Sequence, residues 1–199
     1  MAYTGEQRDS NLQEPEFMSN VKIVDSGIIE GFGKWTLDED GLLTIEGTGK
    51  MPDWDCDQCD YVRGVAWHRV REKIKSVRIA DTVISIGDRA FYFCKNLESI
   101  IIPNSVTRIG DLAFGVCESL KSIIIPNSVT SIGDNAFESC RRLESISIPN
   151  SVTRIGKDAF WCCESLESVN LPNSVTRNGW RAFIRCSGLY WVVRFLWMQ

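Results

Sequence analysis

Three features that often reveal a function are missing from this sequence. The 199 residues contain one histidine, so no group of histidines is available to bind a metal or share acid–base catalysis. No run reaches the roughly 18 consecutive apolar residues that a membrane-spanning helix needs. The polar N-terminus "MAYTGEQRDS" lacks the basic start and the apolar run of a signal peptide, so the sequence leaves the compartment unknown.

The sequence also lacks any long run of Lys or Arg. Residues 1–60 carry 14 acidic and 4 basic side chains, whereas residues 61–199 carry 12 acidic and 18 basic ones. A mild basic excess without a cluster is typical of a solvated surface, so we expect no nucleic-acid partner. We interpret residues 1–30 as a flexible acidic leader, either native or vector-derived.

One phrase is present in several copies. The segment "NSVTRIGDLAFGVC" at 104–117 returns as "NSVTSIGDNAFESC" at 127–140. A step of 23 residues links three columns of identical residues, which are Pro103, Pro126, Pro149 and Pro172; Phe91, Phe114, Phe137, Phe160 and Phe183; Cys94, Cys117, Cys140, Cys163 and Cys186. Self-similarity at such a period indicates a solenoid in which each repeat forms one coil.

Each repeat has the pattern of a short strand followed by turns. In "LESISIPNSVTRI", Leu143 and Ile146 face inward and the serines face outward. Pro149 ends the strand because it has no N–H for a ladder, and we expect the asparagine after it to cap the turn with its side chain. The segment "KDAFWCC" is expected to form one helical or 3₁₀ turn with Phe160 and Cys163 inward.

The columns also divide the chain into regions. The alternating segment "KWTLDEDGLLTIEG" predicts a β-hairpin around an Asp-Gly turn, which suits the cap that an open solenoid end requires. His68 and Arg71 stand where Phe and Cys belong, so the cap is expected to meet the coils there. The predicted regions are an N-terminal β cap at 31–73, a half repeat at 74–80, complete repeats at 81–103, 104–126, 127–149 and 150–172, and a degenerate repeat at 173–199.

Eight cysteines raise the question of disulfides or metal binding. The five column cysteines are expected to be buried free thiols, because side chains stacked in parallel do not present disulfide geometry. Cys56 and Cys59 form a CxxC pair amid four aspartates and are the weak metal candidates. A structural zinc site needs four ligands and His68 supplies at most a third, so we expect an acidic loop without metal or other cofactor.

The string "LxxIxIPxSVTxIGxxAFxxC", present at 97–117, 120–140 and 143–163, resembles the BspA-type leucine-rich repeat. The segment "KWTLDEDGLLTIEGTGKMPDW" also resembles the cap of such proteins in gut and oral bacteria. The resemblance implies a right-handed leucine-rich repeat solenoid with a parallel β-sheet on the concave face and short turns or 3₁₀ segments on the convex side. It further implies a non-enzymatic protein-binding or adhesion module, either secreted or on the cell surface, whose partner is a host or bacterial surface protein.

The outward strand positions are the candidate partner-binding residues, because the inward columns must serve the core. Two exposed isoleucines side by side are unusual on a solvated sheet and favour a recognition patch, although β-propensity alone could also place them there. The candidates are Arg78, Ser99, Ile101, Ser122, Ile124, Ser145, Ser147, Ser168 and Asn170.

Two other functions stay open from the sequence. The chain could be a structural spacer that self-associates through the C-terminal repeat, where "LYWVVRFLWMQ" offers apolar residues near an open sheet edge. It could also bind carbohydrate, which usually needs exposed aromatic and acidic residues on one face. The outward strand positions before the last repeat carry none of these, so a protein partner is favoured.

Overall fold

The computed structural model describes residues 21–55, 64–171 and 182–189. These residues form thirteen strands and two short 3₁₀ helices. The cap strands are β1 (Ile23–Ile29), β2 (Gly33–Asp38), β3 (Leu42–Gly47) and β4 (Gly49–Lys50), and the 3₁₀ helices are His68–Lys73 and Ser187–Leu189. The coil strands are β5 (Ser76–Ile79), β6 (Val83–Ile86), β7 (Ser99–Ile101), β8 (Arg108–Ile109), β9 (Ser122–Ile124), β10 (Ser131–Ile132), β11 (Ser145–Ser147), β12 (Arg154–Ile155) and β13 (Ser168–Asn170). None of the helices in these ranges has the length and apolar character that a membrane crossing requires.

The repeats stack as coils of a parallel β-solenoid, as the sequence predicted. Each coil pairs in parallel with the next at a constant offset, so Ser76 lies beside Ser99 and Ser145 beside Ser168. The sheet order is β1-β2-β3-β5-β7 on one side and β9-β11-β13 further along the same side. One strand of each coil therefore repeats the same position of the 23-residue unit.

A second parallel sheet, β4-β6-β8-β10-β12, runs along another side of the coils and was not predicted. Beyond β6, its strands have two residues each, as in the pairing of Arg108 and Ile109 with Ser131 and Ile132. Two residues are too few for an alternating pattern to be visible in the sequence. The second sheet gives each coil another hydrogen-bonded side.

In the four coils between residues 81 and 163, the third side consists of consecutive turns, whereas residues 182–183 of the last repeat form the 3₁₀ segment that was expected. Nine residues other than glycine have φ between 54° and 63° on this side of the coils, namely Arg89, Phe93, Leu112, Val116, Asn135, Ser139, Asp158, Cys162 and Arg185. Every second N–H in these turns bonds to the next coil, as when Phe114 donates to the Ala136 carbonyl at 2.7 Å. A helical turn would keep those donors within one coil, so the left-handed residues allow coil-to-coil bonding.

Stacked aromatic rings run through the core. Ring centroids of consecutive column phenylalanines are 4.8–5.3 Å apart, and the interplanar angle falls from 14° to 2° along the stack. The residue before the column is Trp67, which stacks on Phe91 at 5.5 Å, so the alignment of His68 with this column is wrong by one position. The indole N–H of Trp67 donates to the Ala90 carbonyl at 2.8 Å, which gives this larger ring a buried partner that phenylalanine could not use.

The cysteine column is buried and free, as expected. Each thiol from Cys117 to Cys186 donates to the carbonyl of a phenylalanine one coil earlier at 3.1–3.2 Å. Burial raises the pKa of the Cys94 and Cys140 thiols to about 12. These two thiols are therefore uncharged at neutral pH, which suits the donor role of Cys140. Cys56 and Cys59 lie outside the described residues.

The cap begins earlier than predicted. β1 pairs antiparallel with β2, so residues 23–29 belong to the cap sheet, and the boundary drawn between residues 30 and 31 falls too late. Gly27 makes this approach possible, because a Cβ there would meet the Trp35 ring at 2.6 Å. The predicted hairpin is present as β2 and β3, and its turn is closed by the Asp38 carboxylate, which accepts from the Leu42 N–H at 2.8 Å.

The turn after each proline is tied to the previous coil by a serine. Ser105, Ser128 and Ser151 donate to backbone carbonyls of the preceding coil at 2.6–2.7 Å. The asparagine before each of these serines was expected to cap the turn, but Asn104, Asn127 and Asn150 are exposed. A hydroxyl on the inner side of the turn reaches the neighbouring coil, whereas the preceding side chain points to solvent.

Candidate interaction face

The outward side chains of β5, β7, β9, β11 and β13 form one surface, which we call the strand face. All nine residues selected from the sequence lie on it and are exposed, and Ser76 completes the set in a half-buried position. The pairing aligns these side chains in two rows across the coils, because parallel register places equal repeat positions beside each other. Their role in binding stays a prediction.

Ile101 and Ile124 lie at the centre of the strand face. Their exposed fractions are 66% and 83%, whereas the adjacent Ile100 and Ile123 point into the core with 8% and 5%. The pair occupies equivalent positions of neighbouring coils, with Arg78 on one side and Ser147 on the other. This is an apolar spot surrounded by polar side chains, the arrangement that marks recognition surfaces.

A column of charges borders the strand face, and the sequence analysis missed it. Lys75, Glu98, Lys121, Glu144 and Glu167 precede the five strands and are all exposed. The sign of the charge alternates over the first four coils. The 23-residue alignment contains this pattern, but it lies one position before the strand residues that alternation selects. We call these five residues the charged edge.

The strand face continues onto the cap. Arg78 lies beside Thr44 of β3, Thr44 beside Thr36 of β2, and Thr36 beside Ser26 of β1. Eight strands therefore contribute to one surface, about 34 Å across at a typical spacing of 4.8 Å. The sequence predicted the hairpin but not its register with the coils, so this extension was not expected.

Strand pairing is interrupted beneath the isoleucine pair. Among the described strands, β7 pairs with β5 and β9 pairs with β11, but no ladder joins β7 to β9. The same two repeats, 81–103 and 104–126, remain joined in the second sheet through β6 and β8, and in the turns through the Phe91 N–H, which donates to the Ala113 carbonyl at 2.8 Å. The centre of the strand face is thus the least bonded part of this sheet.

A second polar cluster lies beside the second sheet. Arg108 contacts Asp88 at 2.6 Å and Asp53 at 3.3 Å. Desolvation by burial opposes the charge of Arg108, but both ion pairs outweigh it and raise the pKa of the guanidinium. Asp88 also accepts the Asp111 N–H at 2.8 Å, and Asp111 accepts the Asp134 N–H at 2.8 Å. These contacts engage one oxygen of each carboxylate, so the cluster links successive coils.

The described residues offer little that would serve catalysis. Across 21–55, 64–171 and 182–189, no group of three His, Cys, Asp or Glu side chains is placed to hold a metal ion. The exposed serines of the strand face lie beside serines of neighbouring coils, and no histidine of the described residues recurs beside them. The arrangement of this face suits contact with another surface.

The repeats match a known family. The model of the BspA type leucine-rich repeat region matches residues 67–190 in six copies. This match covers more than half of the chain, which therefore belongs to the BspA-type leucine-rich repeat family. No curated protein matches the chain significantly.

Solved structures of bacterial leucine-rich repeat proteins have the same fold. A protein from Eubacterium ventriosum is 28% identical with a TM-score of 0.58, and the match covers 78% of this chain and 45% of that one. A leucine-rich cell surface protein from Faecalibacterium prausnitzii is 30% identical with a TM-score of 0.56, covering 80% and 42%. The T. pallidum leucine-rich repeat protein is 25% identical with a TM-score of 0.59, covering 87% and 91%. This chain thus spans less than half of the first two proteins.

Proposed function

We propose that this chain is a non-enzymatic protein-binding module that acts at a bacterial cell surface and uses the strand face. The observation that carries the proposal is the exposure of Ile101 and Ile124 at the centre of a polar sheet. Exposed apolar side chains at the middle of a polar surface are where binding energy concentrates, because a partner removes them from water while the polar rim keeps the free face soluble. The cell surface location is supported by the similarity to the leucine-rich cell surface protein of F. prausnitzii.

The dimensions of the strand face favour a protein over a small ligand. A surface about 34 Å across is large for one sugar but suits a modest protein interface. The nine candidate residues include no aromatic side chain for stacking on a sugar ring. Adhesion would follow from the same contact if the partner were fixed to another cell.

The test compares three baits in a pull-down from host and bacterial surface extracts, each used below 1 µM. The first is the unaltered chain, the second carries Ile101→Glu and Ile124→Glu, and the third carries Ile84→Glu and Ile184→Glu. Ile84 and Ile184 are each 41% exposed and lie off the strand face, so the third bait has the same chemical change elsewhere.

We expect a retained protein that the first and third baits capture and the second loses. Binding should weaken by at least about tenfold, because the partner would have to desolvate two carboxylates in place of apolar contacts. Thermal melts of all three baits should be similar, since exposed side chains contribute little to the core. Equal capture by the first and second baits would contradict the proposal.

A further inference from the structure

The strand face and the charged edge have a symmetry that the individual coils lack. Across β5, β7, β9 and β11, the charged edge presents Lys75, Glu98, Lys121 and Glu144. Reversing the order of the coils about the midpoint between β7 and β9 exchanges each positive residue with a negative one. The same reversal exchanges Ile101 with Ile124, so the apolar centre is preserved.

We propose that a second copy of this chain packs on the strand face about a two-fold axis that runs parallel to the strands between β7 and β9. Rotation about this axis reverses the coil order but keeps the strand direction, so the charged edge of one copy meets the charged edge of the other. A two-fold contact of this kind requires a surface that is complementary to itself. The alternating charges and the central isoleucines meet that requirement.

The axis determines which side chains face each other. Ile101 of one copy opposes Ile124 of the other, and Glu98 opposes Lys121. Lys75 opposes Glu144, so opposite charges meet at all four of these positions. Centring the axis on β9 instead would place Glu98 opposite Glu144, and like charges in a contact are unfavourable. The charge order therefore disfavours an axis on β9, and the pairing of the two isoleucines favours the axis between β7 and β9.

The size of this contact predicts a weak dimer. Six strands of the strand-face sheet (β3, β5, β7, β9, β11 and β13) overlap about the axis and give each copy a face of roughly 24 by 13 Å. The total area buried is then roughly 600 Å², below the range of about 1,200–2,000 Å² for stable interfaces. Glu167 adds no attraction, because it would oppose the cap turn at Gly41. We expect a dissociation constant in the micromolar range or above, so that the strand face is free at concentrations below that range.

This inference rests on the proposed function in using the same face, and it names a partner of that face. A second copy would not exclude a different protein, because the weak dimer dissociates at the bait concentrations used above. Self-association and capture of another protein are therefore measured under different conditions, and either can fail alone.

The experiment is sedimentation equilibrium of the full chain from 10 µM to 1 mM at about 0.1 M salt. Lys75→Glu places like charges opposite each other twice in the dimer, and Glu144→Lys does the same. Each should weaken dimerisation by about tenfold. The double variant carrying both changes should restore it, because the two residues attract again across the contact. Ile101→Glu with Ile124→Glu should abolish it.

Restoration by the double variant is specific for contact between copies. Lys75 and Glu144 are three coils apart within one chain, about 14 Å at the usual strand spacing and beyond the screening length of about 10 Å at 0.1 M salt. Lys50→Glu makes the same charge change on β4 of the second sheet and should leave dimerisation unchanged. Circular dichroism melts confirm that each variant folds.

Three outcomes would overturn the inference. These are a monomer throughout the concentration range, a double variant as weak as the single ones, or a Lys50→Glu variant that weakens dimerisation as much as Lys75→Glu does. Bait-dependent capture of another protein together with a monomeric chain would reject the second copy and leave the proposed function standing. A dimer with the expected variant pattern and no captured protein would support the second copy and reject the proposed function.

Discussion

The cap strands β1–β3 and the coil strands β5–β13 bury similar apolar side chains, but their polar contacts differ in kind. In the cap, each contact occurs once, as with Asp25 and Arg69 at 2.6 Å or Lys34 and Glu46 at 2.8 Å. In the coils, one contact recurs, as when thiols of successive coils donate to phenylalanine carbonyls at 3.1–3.2 Å. A property of one coil residue is thus multiplied along its column, whereas a cap residue acts locally.

Alkaline pH should separate the two regions most strongly. The Cys94 and Cys140 thiols have a folded pKa of about 12, above their ordinary value of 9.0. A raised folded pKa gives stability that is present below pH 9 and lost as the pH rises toward 12. At pH 11 the loss is roughly 3 kcal/mol for each of these two thiols, a large fraction of the stability of a typical domain. Urea unfolding from pH 8 to 11 measures this loss.

A matched variant isolates the thiol contribution from other groups that titrate in this range. Cys94→Ala with Cys140→Ala should be less stable at pH 8 but lose less stability between pH 8 and 11. A decline as steep as that of the unaltered chain would show that the column thiols do not cause the alkaline sensitivity. Thiol labelling at pH 8 gives a second readout, since the four column cysteines from Cys94 to Cys163 should react only after unfolding.

Phe137→Ala should have the next largest effect. Phe137 is fully buried and stacks on Phe114 at 5.2 Å and on Phe160 at 5.1 Å. Its truncation should cost about 3–5 kcal/mol, because the cavity cannot close without moving both neighbouring rings. Leu37→Ala in β2 is the cap counterpart, with an expected cost of about 2–5 kcal/mol.

The location of the damage distinguishes these two variants better than its size. Hydrogen exchange should show lost protection in the coils on both sides of Phe137, whose N–H groups bond from coil to coil. In Leu37→Ala the loss should centre on β1, β2 and β3. Protection lost equally across cap and coils in both variants would mean that the two regions open as one unit.

The smallest effect is expected from Arg69→Ala. Arg69 holds the pKa of the Asp25 carboxyl below its ordinary value, chiefly by donating hydrogen bonds to it. A lowered folded pKa gives stability that is present above the unfolded value and lost as the pH falls through the folded one. Because the pair is exposed, we expect only faster exchange of the β1 amides, which high salt should mimic in the unaltered chain. Faster exchange in the coils would contradict a local role.

Much of the coil was predictable from the 23-residue step. A column of phenylalanine or cysteine can recur only if each copy meets the same environment, so inward and outward positions followed from the alignment. The second sheet and the left-handed turns were not predictable, because they depend on backbone hydrogen bonds between coils rather than on side-chain periodicity. Leu112 and Val116 adopt positive φ although their side chains disfavour it, which no propensity would suggest.

The candidate surface was predictable in part. The outward strand residues followed from alternation, and the structure exposes them. Their continuation through Thr44 and Thr36 depends on how the cap strands align with β5. The match of Trp67 to the phenylalanine column depends on a step of 24 residues to Phe91, which the 23-residue repeat does not predict. Single-copy contacts leave no repeat signal, so the cap was the less predictable region.

The missing ladder between β7 and β9 has a consequence for the elasticity of the stack. Elsewhere among the described coils, bending toward the second sheet must stretch hydrogen bonds in the strand-face sheet, but at this junction that sheet has no ladder to stretch. We therefore expect the bending stiffness to be lowest at the junction between β7 and β9, where the paired strands of the second sheet act as the hinge. Two comparatively stiff blocks can tilt about this hinge, so the strand face can adjust its curvature to a bound surface without deforming any coil.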